Sequence, residues 1–243
     1  MLPIDYSTPG CANELQYPHM RLKTNLHFHT SDDPQDKVPY SFYEGIDAAY
    51  RAGFEVIALT CHRKLVWSTD YESYAASKSI LLVGGVEIEI GRKHVVILNC
   101  DATAEELSAW NELEAYRKNH PEIFVLAPHP YFYGNFSLKR GLDRHIHLFD
   151  AIEHSWFYSK WFNRNKRGEA AAKKYNKPFI ATSDTHDLKF LDRGYAIIET
   201  RSKTTPAIFD AIREKNFTNV TQPSSFPEMA GFLVRQEIRN RLE

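Results

Sequence analysis

The chain has 243 residues, 43% hydrophobic and 25% charged, which suits one large domain or two small ones and excludes a disordered or collagen-like chain. Lys and Arg total 30 against 31 Asp and Glu, so the net charge of -1 exerts no global pull toward nucleic acid or anionic lipid, and phosphate recognition has to be local. Cys11, Cys61 and Cys100 are too few and scattered for a disulfide framework or a Cys-rich zinc site, which favours a reducing compartment.

The opening MLPIDYSTPGCANE lacks a basic region followed by an apolar stretch, and no apolar run approaches the ~18 residues that span a bilayer. A soluble, cytoplasmic protein is expected. Short apolar runs then follow one another: Leu22 to Leu26, Phe54 to Thr60, Ile80 to Val86, Ile123 to Ala127 and Phe179 to Thr182. With FDAIEH and GYAIIET they make about seven strand candidates, and HVVILNC reads as an extra hairpin arm after VEIEI. Between them lie segments of helical period: SFYEGIDAAYRAG, YESYAASK, AEELSAWNELEAYRKN, RNKRGEAAAKKYN and TPAIFDAIREKN. Gly53 and Pro178 stand where a helix must stop and a strand begin. SSFPEMAGFLVRQEIRNRLE reads as a C-terminal capping helix, at about 225–243, begun near Pro227. No repeat, low-complexity tract or Gly/Ser linker divides the chain, so a single domain, 1–243, is expected.

Alternating strands and helices predict parallel strands with helical crossovers, as a barrel or an open sheet. The polar residues that end the runs favour the barrel. His27 and His29 follow the first run, His62 the second, Glu87 and then His94 the third, His129 the fourth, and Asp184 and His186 the last. In a barrel the strand ends surround one mouth, whereas an open sheet spreads them along a line. Residues two apart on a strand share a face, so His27 and His29 can share one ion or, equally, form a hydrogen-bonded core pair. The downstream acids favour the ion. Imidazole and carboxylate ligands together suit zinc, manganese or iron.

The segments LHFHTSDD, ALTCH, GVEIEI followed by HVVIL, APHP and TSDTH resemble, in order and spacing, the motifs of the polymerase and histidinol phosphatase (PHP) superfamily, from about Leu22 to Thr200. The resemblance implies a distorted seven-stranded β/α barrel of the PHP type with two or three divalent ions at its mouth and phosphoester hydrolysis as the activity. It also implies a partition of ligands: His27, His29, Glu87 and Asp184 on one ion, Glu87 bridging to a second with His94 and His129, and His62 and His186 on a third. The third ion needs an acid from the loop after His29, where the family pattern falls on Pro34; Asp33 is the candidate and Asp36 the reserve. Cys61 stands where the family has an aspartate, which bears on how His62 is oriented. A direct thiolate ligand and an inert buried thiol both remain open, the latter being the plainer reading.

Ions a few ångströms apart polarise a bridging water and supply hydroxide at neutral pH, with Glu87 as the catalytic bridge. Arg63 and Arg193 are candidates for stabilising charge on the reacting phosphoryl group, and Lys64 for binding substrate, with solvated surface charge as the equal alternative for all three; His154, at the end of FDAIEH, is a further candidate for substrate contact. His19, His120, His145 and His147 read as surface residues. HSWFYSKWFNRNKRGEAAAKK mixes aromatic and basic residues, as in single-strand nucleic-acid binders, but is more plainly a pocket-lining loop leading into an amphipathic helix. The expected substrate is a small phosphomonoester or nucleotide, held in loops such as 131–144 and 156–167. A nuclease acting on short oligonucleotides and a non-catalytic metal-stabilised module are the alternatives.

Overall fold

The computed structural model describes residues 19–241, with side chains to Arg235; the opening segment with Cys11 lies outside them. Its strands are β1 (Met20–Phe28), β2 (Val56–Leu59), β3 (Leu81–Ile90), β4 (Lys93–Leu98), β5 (Phe124–Ala127), β6 (Ala151–Ser155), β7 (Phe179–Thr182), β8 (Gly194–Thr200) and β9 (Phe217–Thr221). The helices are α1 (Phe42–Arg51), α2 (Thr69–Ser77), α3 (Trp110–Asn119), α4 (Arg140–His145), α5 (Asn165–Tyr175), α6 (Thr205–Arg213) and α7 (Phe226–Arg241). Each segment of helical period contains a helix, though AEELSAWNELEAYRKN breaks at Leu107 to Ala109 and only its second part forms α3. The Ser41 hydroxyl and the Glu44 carboxylate close a capping box that starts α1, and Gly53 at φ +76° ends it.

One sheet of order β7-β6-β5-β4-β3-β2-β1-β8-β9 forms a mixed α/β, barrel-like fold. Among the described residues the strand count is nine rather than seven. β4 is the hairpin arm of β3, and β9, FTNVT, is a half-buried strand whose Thr and Asn content gives it no apolar run. Only part of the sheet is parallel: β1-β2-β3 and β5-β6-β7 are, while β4, β8 and β9 pair antiparallel with their neighbours. The seam between β7 and β9 is held by the Asn219 side chain, which accepts from Ala181 N (2.8 Å) and donates to Phe179 O (2.7 Å). β8 also comes close to β7, since a Cβ at Gly194 would lie 2.6 Å from Thr182 O.

The barrel interior is filled by Leu22, Leu26, Val56, Ala58, Val83, Val96 and Leu126, and α6 plugs it with Ile208, Phe209 and Ile212. Outside, α1 and α2 pack Phe42, Ile46 and Ala75 on Ile57, Leu59 and Phe28, and α3 and α5 cover β3 to β6. A register shift in β1 between Asn25 and Phe28 changes which residues face inward. Leu22 and Leu26 therefore fill the barrel while Phe28 packs outward, leaving His27 and His29 at the mouth. The segment GLDRHIHLFD holds the short α4, and its His145 stacks on Trp110 (4.0 Å between centroids). α7 begins at Phe226, beside the predicted Pro227, and Phe232 lays its ring edge-on to Trp156 (5.1 Å). Among the described residues no helix is long and apolar enough to cross a membrane.

Candidate metal centre

Strand ends bring His27, His29, His62, Glu87, His94, His129, Asp184 and His186 to one end of the barrel. Glu87, 1% exposed, lies at the centre and divides its two oxygens. Oε2 faces His27 Nε2 (3.1 Å), His62 Nε2 (3.2 Å) and His29 Nε2 (3.4 Å), and Oε1 faces His94 Nδ1 (2.8 Å) and His129 Nε2 (3.2 Å). Asp184 Oδ1 stands 3.4 Å from both His27 Nε2 and His29 Nε2, and 3.3 Å from His186 Nδ1. Two of these residues sit on strained backbone: His129 has φ +27° and Asp184 φ +42°, conformations costly for side-chain-bearing residues and concentrated at functional sites.

A second layer of carboxylates fixes the rings. Asp33 Oδ2 lies 2.8 Å from His29 Nδ1 and 2.9 Å from both His62 Nδ1 and His62 N, while its Oδ1 accepts from Gln35 N and Asp36 N (2.9 Å each). Both oxygens are thereby engaged behind the rings, so Asp33 orients His29 and His62 rather than facing the mouth. Asp36 is the acid at the mouth, with Oδ2 2.9 Å from His186 Nε2. The place expected for an aspartate at Cys61 is filled through space by Asp33. Cys61 itself is fully buried among Phe28 and Leu59, its thiol pushed up by burial and 3.7 Å from Thr30 Oγ1.

Glu153, fully buried on β6, accepts from His129 N and the Thr182 hydroxyl and stands 3.4 Å from His27 Nδ1. Its partner position was legible in FDAIEH only through strand alternation, which turns Glu153 inward and His154 outward. His154 is therefore not at the site; its ring meets Tyr158 (5.3 Å) and Phe179 (5.1 Å) on the outer face. Arg63 is likewise drawn away, its guanidinium donating to Glu89 O (2.7 Å) and Glu105 O (3.5 Å). Arg193 pairs with Glu228 on α7 and lines a separate surface concavity with Lys189 and Arg235. Lys64 is exposed and does not line the mouth.

Burial alone would raise carboxylate pKa values and lower those of imidazoles, yet the mixed cluster reverses both. His94, His27 and His62 hold Glu87 well below the carboxylate range, and His27 and His186 do the same for Asp184. Asp184, Glu87 and Glu153 carry His27 up to about 10, and Asp184 and Asp36 carry His186 to about 9 against both burial and His29. Such a cluster is built for positive charge. His29 Nε2 and Asp184 Oδ1 are buried with no hydrogen-bond partner, and three groups each offer ligand atoms within 4.8 Å of one another: His27/His29/Glu87/Asp184, His62/Glu87/His94 and His29/His62/His186. The donor set fits hard or borderline divalent ions. Above it opens a cavity of about 350 Å³, walled by Phe132, Phe136, Trp156, Phe157, Phe232 and Leu233.

Comparison with known proteins agrees with this architecture. Residues 162–217 match a family model described as PHP-associated. A two-domain protein from Bacteroides vulgatus containing a predicted PHP-like metal-dependent phosphoesterase superposes with a TM-score of 0.60 at 16% identity, over 94% of this chain and 75% of that one. PsfC from Pseudomonas syringae superposes with a TM-score of 0.60 at 13% identity, over 91% and 98%. The lesion-specific endonuclease Q of Pyrococcus furiosus gives 0.60 at 16% identity, over 80% of this chain and 56% of that one. No curated protein matches by sequence. The resemblance to the PHP superfamily read from the motif blocks is borne out.

Proposed function

We propose that this PHP-superfamily chain is a metal-dependent phosphoesterase that hydrolyses a small phosphomonoester. The observation that carries the reading is the division of Glu87, whose two oxygens face two different sets of imidazoles. We assign His27, His29, His62, Glu87, His94, His129, Asp184 and His186 as ligands, with Asp36 in place of Asp33 as the loop acid. Two or three divalent ions bound there would supply Lewis acidity and lower the pKa of coordinated water.

The protein's own part is to hold these groups in place. Asp33 accepts at the Nδ1 side of His29 and His62, and Glu153 faces Nδ1 of His27, so in each case Nε2 is presented to the mouth. Tight packing beneath the cluster keeps those positions within the small tolerance that in-line displacement at phosphorus demands.

A second reading has its own support. Lys93, Lys139, Arg140, Arg164 and Arg167 line a concavity of about 480 Å³ outside the 131–139 loop, and none of them is ion-paired to a carboxylate among the described residues. A nucleic-acid strand would suit that groove, which keeps a nuclease as the alternative. One experiment tests both: metal-replete wild type and Glu87→Ala are assayed on monoesters and on short oligonucleotides at low and high salt, with bound metal counted. Glu87→Ala is expected to lose at least about a hundred-fold in turnover and part of its metal. Unchanged turnover overturns the site assignment, and oligonucleotide cleavage that falls steeply with salt selects the nuclease.

A further inference from the structure

The cavity above the metal centre is charged at its floor and apolar at its wall. Its floor is Asp36, His62, Glu87, His94, His129, Asp184 and His186, and no lysine or arginine is among the described residues that line it. The wall comes from three separate parts of the chain. Phe132 and Phe136 stand on the loop after β5 with rings 5.7 Å apart, Trp156 and Phe157 on the loop after β6, and Phe232 on α7. Phe157 bridges them, edge-on to Phe132 at 5.0 Å and 6.0 Å from Phe232. Gln35 and Ser155 are the uncharged polar residues of the lining, and the Ser155 hydroxyl already accepts from Phe157 N (3.3 Å).

Each property narrows the ligand. A phosphoryl group would be met by ions on the floor, but a second phosphate further out would find no cation, which disfavours di- and triphosphates. A sugar or polyol would bury hydroxyls against phenyl rings with almost nothing to bond them, at a cost for each. A flat apolar group, by contrast, gains from burial and from ring contacts. A cavity of about 350 Å³ is near the lower end for ligand sites and holds a single small molecule.

Resting on the phosphoesterase reading above, we propose that the substrate is a monophosphate ester of a small aromatic alcohol, one or two rings in size, with its ring held between Phe132, Phe157 and Phe232. Hydrolysis adds water across the P–O bond, giving inorganic phosphate and the aromatic alcohol. The rings act by binding, so they set the preference among esters and leave the chemistry to the floor.

Benzyl phosphate and ethyl phosphate test this, because their leaving alcohols are similar in basicity while only one carries a ring. Metal-replete protein is expected to favour benzyl over ethyl phosphate in kcat/KM by on the order of ten- to a hundred-fold. Phe232→Ala and Phe132→Ala, on different elements, should each cut that ratio several-fold, so the test survives if one of them fails to fold. Equal use of the two esters, or a nucleoside monophosphate outdoing benzyl phosphate, overturns the aromatic assignment while leaving the phosphoesterase standing. Calorimetric titration with inert benzylphosphonate and methylphosphonate separates the two claims. If no ester is hydrolysed the phosphoesterase reading falls, and tighter binding of benzylphosphonate still upholds the aromatic pocket, whereas equal binding removes it as well.

Discussion

Asp33 sits behind two of the imidazoles, with its Oδ2 turned to Nδ1 of His29 and of His62. A carboxylate at Nδ1 of an imidazole fixes the tautomer and the ring plane and makes Nε2 a better donor to an ion. Asp33 does this for His29 and His62 together, at 2.8 and 2.9 Å. Asp33→Ala should therefore weaken metal binding by about ten- to a hundred-fold, measured by competition with a chromogenic chelator. His154→Ala, on the outer face, should leave binding unchanged. Equal effects of the two would remove the orienting role. Spacing alone could not separate Asp33 from Asp36, since both lie in one tight loop and only its fold decides which turns inward. The same limit applied to Arg63, Lys64 and Arg193: adjacency to a ligand in sequence says nothing about direction, and backbone carbonyls or Glu228 claim the two arginines.

Elements were legible where their physics is local. Apolar runs marked β1, β2, β3, β5 and β7, and helical period marked α1, α3, α5 and α6, because each signal lies within one turn or one strand. β9 was not, since its burial depends on β8 beside it and on Asn219 reaching β7. The antiparallel direction of β8 is equally a property of the whole sheet. One residue that ties elements together lends itself to test. Asp150, just before β6, accepts from Arg117 of α3 (2.6 and 2.8 Å), Arg213 of α6 (3.1 Å) and Val125 N of β5 (2.8 Å). Burial would raise its pKa, but Arg117, the Val125 N–H and Arg213 lower it below the ordinary aspartate value. A depressed folded pKa means the stabilisation is fully present above the unfolded value, ~3.9, and is lost as pH falls through the folded one. Asp150→Asn should cost about 2 kcal/mol at pH 7 by urea titration, and the gap to wild type should close as pH drops below ~4. A gap that stays constant to pH 2 would show that the charge of Asp150 is not what joins the four elements.

For the whole molecule, the proposed ligands come from β1, β3, β4 and the segments after β1, β2, β5 and β7, so an ion at the mouth would tie together strands far apart in sequence. The seam beside β7 is the part of the barrel closed by side chains and a single bridge, Phe28 to Thr185, rather than a full ladder. Asp184 and His186 flank that bridge, which puts two of the proposed ligands where closure is weakest. Anything that binds the folded state and not the unfolded one stabilises it by mass action, about 2.7 kcal/mol at a free concentration one hundred times Kd. For a chain of this size that is a rise of roughly 5–10 °C in Tm. Metal entry would also displace protons from imidazoles such as His27, whose pKa Asp184, Glu87 and Glu153 push up to about 10 against burial. Binding should therefore weaken as pH falls, and its calorimetric heat should vary with the ionisation enthalpy of the buffer. Chelation should lower Tm by the stated amount, and Glu87→Ala should lose most of the metal-dependent increment because Glu87 faces both sets of imidazoles. A variant that kept the full increment would put the ions elsewhere. Full stabilisation of the wild type with no turnover on any ester would make the centre a structural staple for the barrel.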